Sequence, residues 1–176
     1  MLDFAQLAYQ CAPQIHKDTL AHLVRAESSF NPYAIGVVGA HLQRQPKNPM
    51  EAIATAVWLE RRGFNYSVGL AQINKSNFGK YGLTLDTAFE PCQNLRTAAS
   101  ILSDCYTRAY QAHPDVQAAL RDSFSCYYSG IFTSGYKTGY VIRVVTGTGN
   151  HEHPPSVESA GEVAMDKTQP PSALLF

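Results

Sequence analysis

Charge is what this sequence has least of. Only 16% of its 176 residues are charged, and 14 basic residues balance 14 acidic ones. An average soluble protein carries roughly 25%. With no basic excess there is no electrostatic footprint for a phosphate backbone. Nucleic acid is therefore not the expected partner, and a neutral polymer or small ligand fits better. Long apolar runs are also missing. The longest, residues 52–59 with Thr55 inside it, has the length of a core helix and falls short of the ~18 residues of a membrane span. The amino-terminal stretch "MLDFAQLAYQCAP" has no basic region, so no signal peptide is read there.

No cysteine pair has C-x-x-C spacing, which argues against zinc, and no metal or other cofactor is expected. The four cysteines, Cys11, Cys92, Cys105 and Cys126, permit disulfides in an oxidising compartment. Cys92 and Cys105 fall at the two ends of one predicted helix, ~20 Å apart, too far to bridge. Two pairings stay open: 11–92 with 105–126, or 11–105 with 92–126. Buried free thiols are the alternative to both.

What is present is mostly helical periodicity, in a hydrophobic fraction of 45% that suits one domain with an ordinary core. A short helix is predicted over 3–11, broken by Pro13. Asp18 is the expected N-cap of the next. Asn48, Pro49 and Glu51 open a further helix that Gly63 closes. Residues 33–47 are too irregular for a helix and suggest a short hairpin or β-like excursion. Long helices are expected from Gln93 to about Tyr110 and from Pro114-Asp115 to Gly130. "GYVIRVV" reads as strand by propensity or helix by context. Beyond Thr146, "GTGN", "HEHPPS" and "QPPS" cannot bury much surface and predict a disordered tail. The expectation is one mainly α domain, 1–146, and a tail, 147–176.

Most carboxylates have ordinary explanations. Asp18 and Glu51 look like caps, and Asp86, Glu90, Asp115 and Asp122 sit in turns or polar faces. Glu60 suits a solvated pair with Arg61 or Arg62. Glu27 differs. It lies seven residues after Leu20, on the stripe of Leu20, Leu23 and Val24, where helical phase turns it inward. Burial raises a carboxyl pKa, which a general acid working near neutral pH requires. A buried glutamate capped by neighbouring hydroxyls is the bland rival. The ten tyrosines suit flat sugar faces, but tyrosines also fill cores.

Four segments in order resemble the catalytic domain of lytic transglycosylases. "ESSFNPYAI" resembles the Glu-Ser motif and Phe-x-Pro turn. "GLAQIN" resembles the Gly-Leu-Met-Gln-Ile segment, and "PCQNLRTAASIL" the helix that follows. "CYYSG" and "GYVIRVV" resemble the Ala-Tyr-Asn turn and a later Tyr-Val. The insertion between the first two segments resembles the peptidoglycan-cleaving component of type IV secretion and conjugation systems. The resemblance implies a lysozyme-like fold, peptidoglycan as partner, a periplasmic location and secretion-channel contacts through the tail. It implies Glu27 as the acid/base and Ser28, Gln72, Asn74, Tyr127 and Tyr140 as substrate-binding residues. Two residues depart from the pattern: Cys126 stands for Ala and Tyr128 for Asn.

Glycosidases usually need two carboxylates. One good candidate implies a substrate that supplies the second group, the 2-acetamido oxygen of N-acetylmuramic acid. A 1,6-anhydro sugar is then the expected product. The alternatives are a hydrolytic muramidase with Glu60 or Asp86 positioning water, and a non-catalytic peptidoglycan-binding assembly protein.

Overall fold

Apolar residues at helical spacing and well-marked caps give a mainly helical body. The computed structural model describes residues 3–147. The helices are α1 (Phe4–Cys11), α2 (Lys17–Ser28), α3 (Pro49–Arg61), α4 (Phe78–Tyr81), α5 (Leu85–Ala88), α6 (Pro91–Ala112), α7 (Val116–Ser129), α8 (Ser134–Lys137) and α9 (Tyr140–Thr146). Between α2 and α4 lie three short strands, β1 (Ile35–Val37), β2 (Tyr66–Val68) and β3 (Ile73–Asn74). They form an antiparallel sheet in that order, with Ile35 opposite Val68 and Val68 opposite Ile73. The tail expected over 147–176 lies, beyond Gly147, outside the described residues.

Helix α6 is the axis of the packing. Its 22 residues expose a polar side and bury Leu95, Ala98, Ala99 and Leu102 against α1, α5 and α7. Leu20, Leu23 and Val24 of α2 join the same buried cluster, as do Tyr66, Val68 and Ile73 of the sheet. Two disulfides tie α6 to its neighbours. Cys11–Cys92 anchors its start to α1, and Cys105–Cys126 its middle to α7. Of the two open pairings the first is therefore formed, and none of the four thiols is free.

The cap signals of α3 hold: the Asn48 side chain accepts from the Glu51 N–H at 2.9 Å, with Pro49 in the first turn. At α2 the cap is His16, not Asp18. The His16 ring nitrogen accepts from the Asp18 N–H at 3.3 Å, and Asp18 sits inside the first turn, paired with Lys17. Glu60 pairs with Lys75 (2.6 Å) rather than with an arginine of its own helix. "GYVIRVV" is helical, because Tyr140, Val141 and Val144 share one buried face.

The irregular segment before α3 makes the β-like excursion, β1, followed by a single antiparallel bridge between Val37 and Ala40. The rest of it folds along the edge of that strand. The Gln45 side-chain amide accepts from the Ile35 N–H (2.7 Å) and donates to the Ile35 carbonyl (3.0 Å). The Ala40 N–H donates to the Val37 carbonyl at 3.4 Å. Arg44 and Glu51 form an ion pair that pins this segment to the start of α3.

Candidate active site

The apolar stripe of α2 decides where Glu27 goes. Leu20, Leu23 and Val24 are fully buried, and Glu27, one turn later on the same stripe, is half-buried at the end of the helix. The chain then leaves α2 through two left-handed residues that are not glycine, Ser29 (φ 51°) and Phe30 (φ 65°). Only one other described non-glycine residue has positive φ, Gln72 (49°), in the loop between β2 and β3. Such conformations cost free energy and persist only where the surroundings impose them.

Loop 69–72 is fixed to four parts of the fold. The Ser28 hydroxyl donates to the Leu70 carbonyl at 2.7 Å, with the Val24 carbonyl a weaker alternative at 3.3 Å. Tyr127 of α7 donates to the Ala71 carbonyl at 2.7 Å. The Gln72 amide nitrogen donates to the carbonyls of Ala34 and Gly69, both at 3.0 Å. Asn94, fully buried in the first turn of α6, does most. Its oxygen accepts from the Ala71 N–H (2.8 Å), and its nitrogen donates to the carbonyls of Val68 (2.9 Å) and Ala88 (2.8 Å). Asn94 presses so closely on the loop that a Cβ at Gly69 (φ +81°) would lie 2.3 Å from its nitrogen. Only glycine meets both the conformation and the space.

Helix α9 supplies the direct contact. Tyr140, its first residue, is buried, and its hydroxyl donates to Oε1 of Glu27. Tyr128 of α7 stacks on the Tyr140 ring, centroids 4.6 Å apart and planes 24° from parallel. Arg143, one turn along α9, donates to the Thr138 carbonyl at 3.2 Å and lies 5.8 Å from the Tyr140 ring.

These surroundings set the titration of Glu27. Burial pushes its pKa up to about 7, and the Tyr140 hydrogen bond and the Arg143 charge hold it from going higher. No second carboxylate is among the groups that shift it. Burial and the Glu27 charge push both Tyr127 and Tyr140 well above the ordinary phenol range, so both stay protonated donors. A carboxyl with a pKa near neutrality can both give and take a proton at working pH.

Residues 5–129 match the Transglycosylase SLT domain family model. The chain belongs to this family. Over 151 residues it is 52% identical to the Type IV secretion system protein virB1 of Brucella abortus biovar 1 (strain 9-941), covering 82% of this chain and 63% of the relative. Over 148 residues it is 39% identical to the Protein virB1 of Agrobacterium fabrum (strain C58 / ATCC 33970), covering 82% of this chain and 58% of that one. The chain thus spans less than two thirds of the length of these curated relatives. No solved structure matches it significantly. Membership of the SLT family agrees with the mainly helical, lysozyme-like fold expected from the sequence.

Within this SLT domain the expected site residues separate. Glu27 and Tyr140 are in direct contact, and Tyr127 feels the Glu27 charge while holding Ala71. The Ser28 hydroxyl and both Gln72 amide protons are spent on backbone carbonyls, which leaves the Gln72 oxygen without a partner among the described residues. Asn74 is occupied elsewhere. Its amide bonds Asn65, Ser67 and Ser76 and caps the short 3-10 turn that follows β3. Sequence reasoning assigned no role to Asn94 or Arg143. Asn94 had a signal, a polar residue one turn before Ala98 on the apolar stripe of α6. Arg143 had one only once its segment is helical, when it falls one turn after Tyr140. Among the described residues, no group of three or more potential metal ligands lies together, and no helix is long and apolar enough to cross a membrane.

Proposed function

We propose that this SLT domain is a peptidoglycan lytic transglycosylase. It cleaves the β-1,4 bond between N-acetylmuramic acid and N-acetylglucosamine and leaves a 1,6-anhydro-muramyl end. The observation that carries the reading is a single half-buried carboxyl, Glu27, with a pKa of about 7 and no partner acid in its electrostatic surroundings. Protonated Glu27 gives its proton to the glycosidic oxygen as the C1–O bond breaks. The 2-acetamido oxygen of the same sugar stabilises the anomeric carbon. The C6 hydroxyl then closes on C1 and returns its proton to Glu27. No water is consumed, and the enzyme regains its starting state. Tyr140, a phenol that stays protonated, keeps Oε1 oriented through both steps.

The hydrolytic alternative needs a second acid to hold water. Glu60 is committed to Lys75, and Asp86 is exposed in the first turn of α5. Neither appears among the groups that act on Glu27. The names of the relatives point to type IV secretion. We accordingly read the biological role as local opening of the wall for a secretion or conjugation apparatus, in the periplasm. Channel contacts through residues 147–176 are part of this reading.

Digestion of purified peptidoglycan followed by mass spectrometry tests the reaction. Anhydro-muropeptides are expected from the wild type, and Glu27→Gln is expected to lose at least about a thousandfold in rate while keeping its fold. Products carrying an added water would establish hydrolysis instead. Unchanged release by Glu27→Gln would remove Glu27 from the reaction.

A further inference from the structure

Tyr140 is the only described side chain that hydrogen-bonds Glu27, so whatever fixes its ring fixes the catalytic carboxyl. Its own helix does little of that. α9 is seven residues long, starts after a left-handed Gly139 (φ 73°) and has no side-chain cap at its amino end. α9 packs by its buried face on α2, α7 and α8, and the ring contact with Tyr140 comes from α7. Adjacent helical residues point about 100° apart, so Tyr127 and Tyr128 serve two different neighbours. Tyr127 reaches the Ala71 carbonyl, and Tyr128 lies against Tyr140 at 4.6 Å. The Tyr128 hydroxyl bonds no described residue, so its ring is the part in use. This is the position where the sequence departs from the Ala-Tyr-Asn pattern it resembles. An amide there has no comparable face to set against a phenol.

We propose that Tyr128 is a positioning residue whose ring, stacked on Tyr140, holds the Tyr140 hydroxyl against the Glu27 carboxylate. The kinetic part rests on the reading of Glu27 as acid and base; the geometric part does not. The groups that meet Glu27 electrostatically are Tyr140 and Arg143 of α9 and Tyr127 of α7. Tyr128 acts on it only through Tyr140.

The test is a double-mutant cycle on soluble glycan fragments, with kcat and KM determined separately. Tyr128→Ala and Tyr128→Asn are each expected to lower kcat about fivefold with KM little changed, the scale of one aromatic pair. Tyr128→Phe is expected to restore what Ala loses. With Tyr140→Phe already present there is no hydroxyl to position, so adding Tyr128→Ala should cost less than about twofold. Full activity in Tyr128→Asn, a Phe variant as poor as Ala, or losses that multiply would each overturn the proposal. If Tyr128→Ala unfolds, Tyr128→Leu keeps the bulk without the aromatic face and takes its place. A substrate-free arm follows the Glu27 carboxyl carbon by NMR as pH is varied. Tyr128→Ala should move the titration midpoint in the same direction as Tyr140→Phe, and an unmoved midpoint would count against the proposal. A wild type that titrates as expected but cleaves no glycan would remove the acid/base reading and leave the positioning role standing.

Discussion

Loop 69–72 and helix α9 both meet the end of α2, but they are held there in different ways. The loop has no apolar anchor of its own beyond Leu70 and Ala71, and its backbone groups are gripped by side chains from α2, α6 and α7. α9 has almost no such bonds. It is held by its buried face and by one ring stacked on another. A hydrogen-bonded brace fails when a single buried partner is lost, because the others are left unsatisfied. A packed contact fails gradually, and it leaves the group it carries free to make small adjustments. The braced side thus fixes the loop backbone, while the packed side carries the phenol that bonds Glu27.

The largest effect should come from breaking the brace. Asn94→Ala strips an N–H and two carbonyls of their buried side-chain partner and is expected to cost about 4 kcal/mol in urea unfolding. A loss under about 1 kcal/mol would mean that the loop holds itself.

Next is the carboxyl between the two sides. The folded-state pKa of Glu27, about 7, lies above its ordinary 4.5. The folded protein therefore binds the proton more tightly, and this group's contribution is most favourable below about pH 4.5 and is lost as pH rises through 7. Glu27→Gln removes the cost of the buried charge. It should stabilise the protein on the order of 2 kcal/mol at pH 8 and leave it unchanged near pH 4. Equal thermal melting of both forms at pH 8 would show that the carboxyl is not held against solvent.

Tyr140→Phe should act on chemistry more than on stability. Glycan cleavage is expected to fall about tenfold with unfolding barely changed. The lost bond favoured the ionised carboxylate, so the alkaline fall of the pH–rate profile should move upward from about 7. A downward move would contradict the role given to the phenol. Smallest is Ser28→Ala, which removes one buried bond to Leu70 and should cost about 1 kcal/mol without moving that profile. A shifted profile would place the hydroxyl in direct service of the reaction.

The residues that set helical phase were readable without coordinates. Leu20, Leu23 and Val24 placed Glu27, and Asn48 with Pro49 placed α3, because both signals are local. The cysteine arithmetic stopped at two pairings, since choosing between them needs the packing of α1 and α7 on α6. The role of Asn94 and the particular bonds made by Ser28 and Gln72 escaped for a related reason. Their partners are backbone carbonyls as far as 42 residues away in sequence, and a backbone group has no identity to read. The resemblance implied substrate contacts for Ser28 and Gln72; in the folded chain their donors bond backbone carbonyls, and the Gln72 oxygen bonds no described residue. The β propensity of "GYVIRVV" lost to its burial pattern, in which three of seven residues share a core face as only a helix allows.

The Gln45 amide stands in for a neighbouring strand along β1. Sheet edges left open invite pairing with another chain, the first step of self-association. Here the Ile35 N–H and carbonyl are already taken by a side chain, and the Val37 carbonyl by Ala40. A second molecule arriving at β1 meets no vacant ladder. At high local concentration, copies of this domain should therefore stay apart along that edge.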